Sequence, residues 1–118
     1  MTASDETAPR DRTAEDPVGR RLVCRVVEVR GREGPGVCSY GHRVGDEWQV
    51  GETCPAGLCA WAFNSLYPFA TVLRFGGRLP WEPEADRARV SCPDPDNTVV
   101  FELRLTDRPP RLPVFRPS

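Results

Sequence analysis

An α+β fold, with a small and mostly antiparallel sheet packed on one kinked central helical unit, is the architecture that this sequence predicts. Three observations carry the expectation. A single long apolar stretch runs from Cys54 to Gly77; β-branched segments lie before it and after it; and clusters of Gly, Pro, Asp and Asn punctuate the chain between these segments. Strands flanking one helical stretch imply a sheet folded over that unit.

Residues 1–19 are rich in Thr, Ala, Asp, Glu, Arg and Pro and hold little to bury, the composition of a disordered N-terminal extension. A single domain then spans 20–106. Leu22 to Val29 brings β-branched residues with partial alternation and reads as the first strand, with Arg25 and Glu28 facing solvent or an ion-pair partner. Gly31 to Gly36 holds three glycines and a proline and is a turn by composition. Cys38 to His42 is a tight polar loop. Gly45-Asp46 suits a further turn, and Glu47 to Val50 a short strand with Trp48 and Val50 on one face.

The central stretch predicts a short helix over Ala60 to Leu66, then a kink or restart at Pro68, because proline lacks an N–H and clashes with the preceding turn. So few polar residues occur there that other elements are expected to cover it on most sides, with Trp81 as a lid on the core. Gly76-Gly77 ends the run with the backbone freedom that helix C-termini use. Ala88 to Cys92 and Thr98 to Leu105 read as a hairpin across the turn Pro93 to Asn97, in which Phe101, Leu103 and Leu105 share the buried face. Residues 107–118 hold four of the thirteen prolines and form an extended tail, whose Arg108-Pro-Pro-Arg-Leu-Pro113 has the look of a ligand for an aromatic groove; its protein partner is unknown.

Composition narrows the function classes. A net charge of −1 and a pI near 5.8 offer no basic field for nucleic acid or an anionic membrane, and no apolar run reaches the length of a membrane span or a signal peptide. The expected location is the cytoplasm. All sixteen basic residues are arginine, so lysine nucleophiles and lysine Schiff bases are excluded.

Five cysteines, at 24, 38, 54, 59 and 92, are many for a chain kept in a reducing compartment, where thiols serve as buried small residues, metal ligands or reactive groups more often than as a disulfide framework. Cys38 and His42 stand four residues apart on a turn, so thiolate and imidazole can face one ion. Cys59 opens the helical stretch and Cys92 ends a strand, both at places where side chains converge at one end of a small sheet. Cys38, His42, Cys59 and Cys92 are therefore the candidate metal ligands. Sulfur and imidazole donors suit zinc or another transition metal better than magnesium or calcium.

The same residues allow metal-free chemistry. Cys59 at a helix N-terminus, paired with His42, the only histidine, would make a nucleophile and base. Trp61, Asn64, Ser65, Tyr67 and Trp81 could then line a pocket for a small, partly apolar ligand, although aromatic sets of this kind more often form core. Asp94 and Asp96 read first as turn residues.

Four motifs occur in order: Cys38-x-x-Gly-His-x-x-Gly-Asp46, Gly57-x-Cys-x-Trp-Ala-Phe running to Tyr67-Pro-Phe69, Phe75-Gly-Gly-x-x-Pro-Trp81, and Cys92-Pro-Asp with Val99-Val-Phe-Glu-Leu-Arg104. Together, over about residues 22–105, they resemble a family of short, uncharacterised bacterial and archaeal proteins. The resemblance implies a metal-binding or thiol function centred on Cys38, His42, Cys59 and Cys92, with Cys24 and Cys54 outside the motifs. Three readings follow: a zinc-favouring Cys/His-site protein, accessory to specialised metabolism by association with its arginine-only composition; a metal-free enzyme on a small molecule; and a redox or metal sensor.

Overall fold

The computed structural model describes residues 19–106. The expectations for residues 1–18 and 107–118 lie outside it. Gly19, assigned above to the extension, is buried against Phe75. The fold is α+β: strand β1 (Leu22–Arg30), β2 (Glu47–Val50), helix α1 (Ala60–Arg74), β3 (Arg87–Ser91) and β4 (Thr98–Leu105). The four strands form one antiparallel sheet in the order β2-β1-β4-β3.

Strand alternation gives the sheet one dry face and one wet face. Leu22, Cys24 and Val26 of β1, Val50 of β2, Ala88 and Val90 of β3, and Val99, Phe101 and Leu103 of β4 are buried on the helix side. Register lines them up, with Cys24 opposite both Trp48 and Leu103, and Phe101 between Val26 and Val90. The other face carries cross-strand ion pairs such as Arg25 with Glu47 and Arg87 with Glu102. A register shift between Val26 and Glu28 interrupts the β1–β4 ladder. Such a bulge bends a strand and increases its twist.

Helix α1 departs from the sequence expectation in two ways. It is continuous from Ala60 to Arg74, with Pro68 inside it and no break after Leu66. Pro68 and Asn64 are both exposed, so the Asn64 carbonyl that loses its partner at Pro68 faces the solvent side, where water satisfies it at low cost. The helix is also covered on one face only. Ala62, Leu66, Ala70 and Leu73 are buried at spacings of four, four and three, while Trp61, Asn64, Pro68, Thr71 and Phe75 are exposed. Among the described residues, this 15-residue helix laid across a four-stranded sheet has one surface to bury against and no second layer over its back.

The helix ends as expected. Gly76 adopts a φ of 87°, its N–H bonds the Leu73 carbonyl at 3.2 Å, and the Gly77 N–H bonds the Val72 carbonyl at 2.8 Å. That is the paired C-terminal hydrogen-bond pattern in which a left-handed glycine closes a helix. Trp81 does not lid the core: it is 65% exposed, with its ring set edge-on to Phe69, whereas the nearby Leu79 is buried. No helix among the described residues is long and apolar enough to cross a membrane.

Candidate functional site

Three loops meet at the end of the sheet where β4 begins and α1 starts. The chain after β1 folds back as a turn in which the Gly41 N–H bonds the Cys38 carbonyl at 3.0 Å, and Gly41 takes the positive φ of 105° that the turn needs. This turn is pinned to the β3–β4 hairpin by the Val37 N–H, which donates to Asn97 Oδ1 at 3.1 Å. The hairpin turn is itself held by Asp94, whose Oδ1 accepts from the N–H groups of Asp96 and Asn97 at 2.9 and 3.2 Å. That is the turn chemistry expected of an Asp two and three residues before its amide donors.

The third element is the start of α1. Cys59 is the residue before the first helical position, and its N–H donates to Nε2 of His42 at 3.1 Å. His42 thus caps the helix entry from another loop, and it carries its own proton on Nδ1 while its Nε2 lone pair serves the Cys59 amide. The ring is only 7% exposed. It lies between Tyr40 at 4.9 Å and Trp48 at 4.7 Å, centroid to centroid, and Trp48 reaches on to Phe101 in the core. Burial lowers the imidazole's proton affinity below the ordinary value of 6.5, with the Asp46 carboxylate pulling weakly the other way. A neutral ring is what an acceptor Nε2 requires.

Between these elements lies a cavity of about 30 Å³, lined by Cys38, His42, Cys59 and Cys92. Ala62 and Val99 close its inner side; Tyr40, Trp61, Asp94 and Asn97 also line it. The space admits an ion or a water, far less than the several hundred cubic ångströms of a typical small-molecule pocket. Cys92 is fixed across the hairpin, its Sγ accepting the Val99 N–H at 3.2 Å and its own N–H donating to the Val99 carbonyl at 2.9 Å. Among the described residues no group of three or more His, Cys, Asp or Glu side chains is set so as to hold a metal ion as the side chains stand.

No protein-family model, curated protein or solved structure matches this chain.

The structure gathers all four proposed ligands around one cavity and places four of the five proposed pocket residues away from it. Only Trp61, 54% exposed, lines the cavity. Asn64 points to solvent. The Ser65 hydroxyl donates to the Ser91 carbonyl at 2.9 Å and so ties α1 to the edge strand. Tyr67 lies at the middle of the helix, its hydroxyl donating to the Gly51 carbonyl at 2.8 Å. Trp81 is on the surface. At 100° per residue Trp61, Asn64 and Ser65 share one side of the helix, whereas Tyr67 is turned about 120° from Trp61. The Cys59 and His42 pair is also arranged differently from a nucleophile and base: the imidazole accepts a hydrogen bond from the backbone N–H of Cys59, leaving Nε2 without a free lone pair for the thiol.

Cys24 is fully buried, and desolvation pushes its thiol up to about 12, so it is an inert core residue. Cys54 is exposed on the loop before α1. Tyr40, Asp94 and Asn97 were not among the predicted site residues. Tyr40 sits inside the Cys38 to His42 loop and was within reach of sequence reasoning, whereas nothing local signals that Asn97 reaches Val37, 60 positions away.

Proposed function

We propose that this chain is a small Cys/His-site protein that binds a thiophilic transition metal, zinc above others, at the end of its sheet. The observation that supports the reading is the convergence of Cys38, His42, Cys59 and Cys92, drawn from three loops, on a cavity of single-ion size. Thiolate and imidazole donors in that number match a tetrahedral zinc shell. Binding requires the side chains to close on the ion. His42 must also surrender its bond to the Cys59 amide if Nε2 is to be the fourth ligand; otherwise three thiolates bind and a water completes the shell. A reducing, cytoplasmic setting suits a chain whose cysteines are all free. The metal-free reading has less in its favour, since the cavity is too small for a metabolite and a larger hollow of about 570 Å³ beside Val27 to Arg30 contains neither cysteine nor histidine.

The test is cobalt and zinc titration of protein purified without a metal-affinity tag, together with elemental analysis. The expected result is one equivalent of metal, sulfur-to-cobalt charge-transfer absorption, and a rise in stability of about 2.7 kcal/mol once free zinc reaches about a hundred times its dissociation constant. Retention below about a tenth of an equivalent, with no cobalt absorption from a folded chain, overturns the reading.

A further inference from the structure

Three thiols line the cavity, and the loops constrain them differently. Cys92 is held by the Val99 amide and by the β3–β4 ladder. Cys38 and Cys59 have no such tie. They are linked to each other indirectly, because the turn that starts at Cys38 delivers His42, and His42 Nε2 bonds the amide of Cys59 itself at 3.1 Å. Both thiols are partly exposed and line the same cavity, so a small reagent that enters it meets both.

We propose that Cys38 and Cys59 form a reversible disulfide across this cavity, with a hydroperoxide as the oxidant. One thiol attacks the O–O bond, takes one oxygen to become a sulfenic acid, and releases the alcohol, or water when the oxidant is hydrogen peroxide. The second thiol displaces the sulfenic oxygen as water and forms the S–S bond. Two thiols are oxidised by two electrons in all and one peroxide is reduced. The Cys38 turn lies outside any strand, whereas Cys59 is set by the start of the helix. The inference shares residues with the metal site but does not need the metal; zinc bound to the thiolates would block the reaction.

The experiment uses the full chain, once with bound metal removed by a chelator and once loaded with zinc. Each form is treated with one equivalent of hydrogen peroxide, alkylated with iodoacetamide in denaturant so that the buried Cys24 is counted with the rest, and digested after arginine. The cut sites place Cys38 in peptide 33–43, Cys54 and Cys59 in 44–74, and Cys92 in 90–104. In the chelated protein, alkylated thiols fall from five to three, and peptide 33–43 is joined to 44–74 within one chain. The link persists in Cys54→Ser, disappears in Cys38→Ser, and is undone by dithiothreitol. Five alkylated thiols, a link to 90–104, a link lost in Cys54→Ser, or a link only between chains each overturn the proposal. The Cys54→Ser arm concerns an exposed residue, and the wild-type peptide map needs no variant to fold. Zinc retention without a link in the chelated protein rejects the disulfide and leaves the metal reading intact; a link in a chain that never retains metal does the reverse.

Discussion

His42 illustrates how one side chain can serve structure in three ways at once. It accepts the Cys59 amide, fills the gap between Tyr40 and Trp48, and lines the cavity. His42→Ala removes the acceptor and leaves the Cys59 N–H without its partner, so urea denaturation of the metal-free protein is expected to show a loss of about 1–3 kcal/mol. Burial favours the neutral ring in the folded state, so its folded proton affinity lies below the unfolded value of 6.5. The stability that this contributes is fully present above pH 6.5 and is lost as pH falls through the lowered folded value. Melting temperatures of the metal-free protein between pH 7.5 and 5 are expected to fall more for the wild type than for His42→Ala. Parallel curves would assign the acid sensitivity to other groups.

Helix α1 is stabilised by tertiary packing in spite of its proline. Pro68 occupies an exposed position where alanine fits, so Pro68→Ala restores an N–H to the Asn64 carbonyl and raises helix propensity. Part of the roughly 3 kcal/mol propensity difference is offset by the greater freedom that alanine gives the unfolded chain, and a gain of about 1–2 kcal/mol is expected in the urea midpoint. A loss would mean that the helix geometry depends on the ring. Strand β4 is the opposite case, since its central residue touches every layer. Phe101 is fully buried, so Phe101→Ala is expected to cost about 3–5 kcal/mol, and a cost under about 1 kcal/mol would contradict the burial of that face. The free edge at β3 is guarded by side chains: Glu82 accepts the Arg89 N–H at 3.1 Å, and Ser65 donates to the Ser91 carbonyl. Occupied edge groups discourage pairing with another chain.

Across the whole molecule, two clamps hold the helix to the sheet, one at each end. The N-terminal clamp is the His42 bond to Cys59. At the other end the buried Arg74, 4% exposed, donates from Nε to the Arg20 carbonyl and from Nη1 to the Tyr67 hydroxyl, each at 2.9 Å, while Tyr67 donates to Gly51 and the Arg20 N–H bonds the Arg74 carbonyl. The entry to β1, the loop after β2 and the end of α1 are thereby joined through one guanidinium. Arg74→Ala leaves those acceptors without a charged donor, and since single bonds to charged groups contribute about 1.5–3 kcal/mol, a loss of at least that size is expected in chemical denaturation. A change under about 0.5 kcal/mol, typical of surface positions, would show that the clamp is dispensable.

Local chemistry determined the order of the elements, the bounds of β4 and β2, the glycine end of the helix and the Asp94 turn, because each depends on residues within a few positions of one another. The motif spacing also singled out Cys38, His42, Cys59 and Cys92, which do share a cavity. The rest depended on partners far along the chain. Whether Pro68 breaks the helix was decided by which side of α1 the sheet covers, and whether Trp81 or Leu79 enters the core by how the segment after the helix packs on it. That His42 meets the amide and not the thiol of Cys59, and that Tyr67 and Arg74 build a clamp and not a pocket, follow from distances set only when loops separated by 16 to 54 positions pack together. Periodicity reports which face of an element is apolar; the atom a polar side chain meets is set by how those faces dock.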